Sequence, residues 1–144
     1  MTVAVALALS LVLTAIAAAH FYWGVGGVWP AVDEARLVDT VIGNRRATAM
    51  PPHALTFVVA IAIESAAFVS ALLTLRFGGA VDAVVTAAGV VLCLTFLARF
   101  SFGYLGFWRV RFPRQPFARL DALVYSPLCL AIAVGFALLV SERL

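Results

Sequence analysis

Long apolar runs alternate with short polar stretches along this chain. Segment one runs from about Val3 to Val28, segment two from Ala54 to Leu75, segment three from Ala80 to about Trp108, and segment four from Ala122 to Val140. A helix needs about 20 apolar residues to cross the hydrocarbon core of a bilayer, and each run meets that length. In lipid the backbone must satisfy its own hydrogen bonds, so an open chain crosses as helices. The pattern predicts an all-α integral membrane four-helix bundle, with residues 1–144 forming a single transmembrane domain.

The connections carry signals of their own. In loop one, Pro30 suits a first helical position, Asp33 and Glu34 follow in the first turn, and Gly43 can end the helix. Val32, Ala35, Val38, Val41 and Ile42 share one face. This predicts a short amphipathic helix over residues 31–42 lying on the membrane surface; an irregular loop is the alternative. Pro51-Pro52 opens segment two, and Gly78-Gly79 makes a tight turn that should leave segments two and three as antiparallel neighbours. Pro127, just inside segment four, is either a kink or a tolerated N-terminal proline. Ala17-Ala18-Ala19 resembles a signal-peptide cleavage site, but no basic residue precedes the run and it continues through Phe21-Tyr22-Trp23, so segment one reads as a retained span.

Composition agrees with this picture. The chain is 65% hydrophobic and 12% charged, against about half and a quarter in soluble domains. That leaves no room within it for a soluble catalytic domain or a large ectodomain. The ten basic residues are all arginine, and they flank the apolar runs. The net charge of +3 therefore reads as topology and contact with anionic membrane lipids, and nucleic acid is excluded as a partner. Loops one and three hold Arg36, Arg45, Arg46, Arg109, Arg111, Arg114 and Arg119, while the opposite side has Arg76 and Arg143. The excess places those loops in the cytoplasm of a bacterial inner membrane protein with both termini outside. Tyr22, Trp23, Trp29, Tyr104 and Trp108 would then form an aromatic belt at the cytoplasmic face.

Polar residues inside the spans are the candidate chemistry. Glu64 comes ten residues after Ala54, about 15 Å deep and so near the midplane. A charge there costs at least ~2.5–3.5 kcal/mol on insertion scales. Arg99 lies in the loop-three half of segment three, and because each helical Cβ tilts toward its own N-terminus the two side chains lean together. The expectation is a Glu64–Arg99 pair, with His20, Asp121, Tyr104 and Tyr125 gathered beneath it and Thr95 one turn from Arg99. Bland readings stand beside each. The pair can be a clamp fixing helix register, His20 a belt residue, and Asp121 a helix cap. Ala60, Ala67, Ala71, Gly103, Gly106, Gly24 and Gly27 permit close helix approach. Cys93 and Cys129 lie inside apolar runs, and with no CxxC pair or Cys/His cluster they read as free thiols; neither a metal nor a cofactor is assigned.

HFYWGVGGVWP at residues 20–30 and GYLGFWRVRFPRQPFARLDALVYSPLCL at residues 103–130 resemble the blocks of the bacterial domain of unknown function 3995 family. The resemblance implies a small protein with four spans, draws attention to His20 and Asp121, and brings no reaction with it. It also implies an acidic residue near position 101 and a basic one near 103, where this chain has Ser101 and Gly103. Either Arg99 replaces part of that network or the network is absent.

Three functions fit the sequence. The first is a membrane module whose cytoplasm-facing polar pocket binds a lipid headgroup or small molecule or conducts protons, alone or as a homo-oligomer. The second is a structural or assembly subunit that docks a membrane-complex partner through loop one and the arginine-rich loop three. The third is a redox subunit loosely like the four-helix DoxX-type proteins, with His20 as a base and the cysteines exchanging electrons.

Overall fold

In the computed structural model, which describes residues 2–144, the chain is helical wherever it is regular. Helix α1 spans Thr2–Gly24, α2 Glu34–Val41, α3 His53–Leu72, α4 Gly79–Phe102, α5 Gly106–Arg111 and α6 Phe117–Leu120. A π-helical turn, Asp121–Tyr125, joins α6 to α7, Ser126–Ser141. Helices Thr2–Gly24, His53–Leu72, Gly79–Phe102 and Phe117–Ser141 are long and apolar enough to cross a membrane. The chain is a multi-pass membrane protein.

The four long helices close into a ring in which α1 packs most extensively on α3 and α4 on α7. Helices α3 and α4, joined by the Gly78-Gly79 turn, touch only lightly. Side-chain size explains this departure from the expected neighbours. Lipid offers no hydrophobic drive between helices, so close packing and hydrogen bonds decide the partners. Ala6 and Ala17 of α1 and Ala60, Ala67 and Ser70 of α3 are all buried, and they let those two backbones approach. Ser10 and Ser70 seal the seam, with their hydroxyl oxygens 2.8 Å apart and Ser70 also donating to the Ala67 carbonyl at 2.7 Å. Leu9, Leu13, Ile132, Phe136 and Leu139 fill the centre between α1 and α7.

Span limits differ from the apolar runs at three places. Segment one leaves the helix at Gly24, and Gly26 then takes a left-handed φ of 89°. Segment three stops at Phe102 rather than Trp108, and α5 folds back as a separate short helix. Segment four begins earlier, at Phe117, because α6 and the π-helical turn lead into it without a break.

Loop one forms its helix from Glu34, three residues after the expected start at residue 31. Asp33 is the N-cap, its Oδ1 accepting the Arg36 N–H at 2.8 Å, which satisfies one of the free donors of the first turn. Gly43, at φ 67°, ends it. The face turned to the protein carries Leu37 and Val38, both fully buried, whereas Val32 is 79% exposed. Helix α2 packs against α6, so the helix closes one end of the bundle through Leu37, a residue outside the expected apolar face.

Two polar clasps close the two ends. At the end where α1 begins and α7 finishes, the Arg143 side chain is almost fully buried and bridges Asp82 and Thr86 of α4 and the Leu73 and Leu75 carbonyls. At the other end, Arg114 binds Asp39 at 2.8 Å and the Arg45 carbonyl at 3.0 Å, and Tyr125 donates to the Thr40 carbonyl at 3.2 Å. Loops one and three are thereby one unit.

Candidate functional site

Glu64 and Arg99 do not meet. The correction comes from rotation about the helix axis, which depth arithmetic leaves out. Thr56 is buried on the inward face of α3; at about 100° per residue, Glu64 comes round some 80° from it. That turns the acid toward the α1 flank, where it is exposed and accepts a hydrogen bond from Thr14 Oγ1 at 3.2 Å. Thr95 is also turned outward, its hydroxyl donating to the Val91 carbonyl of its own helix at 2.8 Å.

Arg99 instead binds Asp121. Its Nη2 lies 2.5 Å from Asp121 Oδ1, with Asp121 only 2% exposed. The second carboxylate oxygen accepts Trp108 Nε1–H at 3.0 Å, and Ser126 Oγ donates to Oδ1 at 3.4 Å. The guanidinium also lies over the Trp108 ring, 4.8 Å from its centroid. Asp121 thus receives donors from α4, α5 and α7. A buried carboxylate needs this degree of satisfaction, because desolvation otherwise exceeds the Coulombic gain. It is a junction inside a continuous helix, not the cap that its place before an apolar run suggested.

Local chain features make the junction. Pro127 has no N–H to give the carbonyl one turn back, and immediately before it the Ser126 N–H bonds to the Asp121 carbonyl in the wider π pattern. Gly103 ends α4 one turn beyond Arg99. A Cβ there would overlap Ser126 Oγ and sit 3.3 Å from Asp121 Oδ2. Only a glycine lets α4 close on α7 at this point. Trp108 reaches Asp121 because α4 stops at Phe102 and α5 folds back. Trp108 as a donor and Ser126 as a neighbour were not among the sequence candidates. The available signals were the Gly103 break before Trp108 and the Ser126-Pro127 pair following Asp121.

Beside this junction is a cavity of about 530 Å³. Ile16, Ile63, Phe96, Leu128 and Ile132 give it an apolar shaft, and His20, Arg99 and Tyr125 bring polar groups to it. Exposed Ala15 and Val124 lie on its wall, so it opens sideways between α1 and α7. The hydrogen bonds fix what the polar groups can offer. His20 Nδ1 is 2.8 Å from the Ile16 carbonyl. A carbonyl only accepts, so Nδ1 carries the proton and Nε2 of the neutral ring is left as an acceptor. The ring packs on Trp23 with centroids 4.9 Å apart. Tyr125 spends its proton on Thr40 and likewise retains lone pairs. The charge of Arg99 is matched by Asp121.

Tyr104 lies outside the cavity: its hydroxyl donates to the Ala122 carbonyl at 2.7 Å, and Arg109 sits over its ring. Cys129 lines the cavity, and both it and Cys93 are free thiols. Among the described residues, no group of three His, Cys, Asp or Glu side chains could hold a metal ion.

No curated protein and no solved structure matches the chain. The model of a family described as a protein of unknown function, DUF3995, matches residues 13–136. That stretch contains α3, α4, the Arg99–Asp121 junction and all the residues lining the cavity, and on it the chain belongs to the DUF3995 family.

Proposed function

We propose that this membrane protein is a non-enzymatic binding module for a neutral amphiphile. The ligand has an apolar chain, which fills the shaft between α1 and α7, and a hydroxyl, which donates to His20 Nε2. One observation carries the reading: His20, whose Nδ1 is bound to the Ile16 carbonyl, lines a largely apolar cavity of about 530 Å³. Ligand sites of about 300–1,000 Å³ with few, placed polar groups are the usual form. The pairing of Arg99 with Asp121 favours a neutral head over an anionic one, because the guanidinium is already neutralised. The sideways opening suits a ligand that arrives through the bilayer. In this reading the arginine-rich loops face the cytoplasm of a bacterial inner membrane. Glu64 is not among the residues that line the cavity and bonds to Thr14 instead.

The test is binding of a long-chain alcohol to purified protein in nanodiscs, followed by Trp fluorescence, with the matching methyl ether as control. The alcohol is expected to bind and the ether to bind more weakly. His20→Phe is expected to weaken the alcohol by about 3- to 10-fold, the worth of one hydrogen bond, and to leave the ether unchanged. Equal affinity for alcohol and ether would remove the reading.

A further inference from the structure

The arginines of loops one and three differ in what they bind. Arg114 is paired with Asp39, and Arg109 lies over the Tyr104 ring. Arg45, Arg46 and Arg111 are exposed, and among the described residues none of their guanidinium groups enters an ion pair. Loops far apart in sequence bring these three to one recess of about 430 Å³, whose wall is completed by Asn44, Phe107 and Val110 and contains no carboxylate. Both sides of the recess are anchored. The Arg114 N–H donates to the Gly43 carbonyl at 3.2 Å, and its Nη2 to the Arg45 carbonyl at 3.0 Å. Asn44 Oδ1 accepts the Arg46 N–H at 2.9 Å. Helix α5 is held by Trp108, whose indole N–H donates to Asp121. Like charges gathered at one place repel one another, and an anion between them removes that cost.

We infer that this recess holds the headgroup of an anionic phospholipid. Charge complementarity selects the headgroup, because guanidinium groups bind a phosphate through paired N–H donors. The apolar part of the wall selects a lipid over a soluble phosphate. Phe107 and Val110, one turn apart on α5, are 62% and 72% exposed. Phe107 packs on Phe102, the last residue of the α4 span, with ring centroids 5.9 Å apart. From there exposed Val91, Thr95, Ala98 and Phe102 recur at helical spacing along the outer face of α4. An acyl chain has that stripe to lie against, and the recess sits where the span ends and headgroups begin. The site shares no lining residue with the α1–α7 cavity, so the two readings stand or fall separately.

The test is native mass spectrometry of the full chain in a neutral detergent, with equal amounts of phosphatidylglycerol and phosphatidylcholine added. Wild type is expected to retain phosphatidylglycerol in preference. Arg46→Gln combined with Arg111→Gln should weaken that retention by about 5- to 30-fold. Arg36→Gln combined with Arg119→Gln removes the same charge outside the recess and should leave retention nearly unchanged. Glycerol phosphate at the concentration of the lipid should not displace it. Equal losses in the two pairs would reduce the effect to general attraction and overturn the site. Equal retention of both lipids by wild type would overturn it as well, and displacement by glycerol phosphate would overturn the lipid in favour of a soluble phosphate ester.

Discussion

Arg99 and Asp121 stand 22 residues apart in sequence, and the guanidinium meets the carboxylate at 2.5 Å where α4 ends and α7 begins. The contact joins the two helices at the end of the bundle where the loops gather, and Trp108 and Ser126 complete the donor set around the acid. Because Asp121 is buried and fully satisfied, removing one partner leaves the other without a counter-charge. Asp121→Leu should destabilise by on the order of 3 kcal/mol, and Arg99→Leu with Asp121→Leu should recover part of the loss. Thermal unfolding in one detergent checks both.

Gly103→Ala places a methyl group against the Ser126 hydroxyl. Overpacking of this kind costs about 1–3 kcal/mol. Ser126→Ala removes the oxygen that the methyl would strike, so the double variant should be less destabilised than the sum of the singles. Additive losses in the unfolding midpoint would mean that the approach of α4 to α7 tolerates the methyl.

Arg143 fastens the C-terminal end of α7 to α4 and to the α3–α4 turn through Asp82, Thr86 and two carbonyls. A lysine carries the charge but not the planar fork that reaches several acceptors at once. Arg143→Lys should therefore behave nearly as badly as Arg143→Ala, each losing about 2 kcal/mol. Hydrogen exchange should rise at the α3–α4 turn in both variants.

The Ser10–Ser70 contact is a smaller effect. Hydroxyl bonds between membrane helices average about 0.6 kcal/mol. Ser70→Ala should lower stability by about that amount, and Ser10→Ala added to it should lower it further, because the Ser10 hydroxyl also bonds across the seam to the Ala67 carbonyl. A double-variant cycle in thermal unfolding gives the coupling.

How far such features could be read beforehand depended on the physics behind each. Span existence was legible because hydrocarbon thickness sets a minimum apolar length, and the runs around Leu13, Ala60, Gly89 and Phe136 all satisfy it. Helix ends were less so: Trp108 is apolar enough to extend a span, and only the Gly103 break turns it back. Glu64 falls on a different azimuth from the one that a pair with Arg99 requires. A helix hydrophobic on nearly every side gives no sequence signal for which face turns inward. Asp121 was read as a cap because it precedes an apolar run, whereas the helix had already begun at Phe117 and the π-helical turn carries the acid inward. The cavity could not be read at all, since it depends on the contacts among α1, α3, α4 and α7 and on α2 closing their end.

The central claim is that an uncharged amphiphile occupies the cavity between α1 and α7 with its hydroxyl at His20. The most direct measurement is the anomalous bromine signal from crystals grown with a long-chain alcohol brominated along its chain. The account expects bromine in the shaft among Phe96, Leu128 and Ile132, a hydroxyl within hydrogen-bond reach of His20 Nε2, and loss of the signal in Ala19→Leu, which narrows the cavity. Bromine found only on the outer faces of the bundle, or equally strong in the shaft of Ala19→Leu, would contradict it.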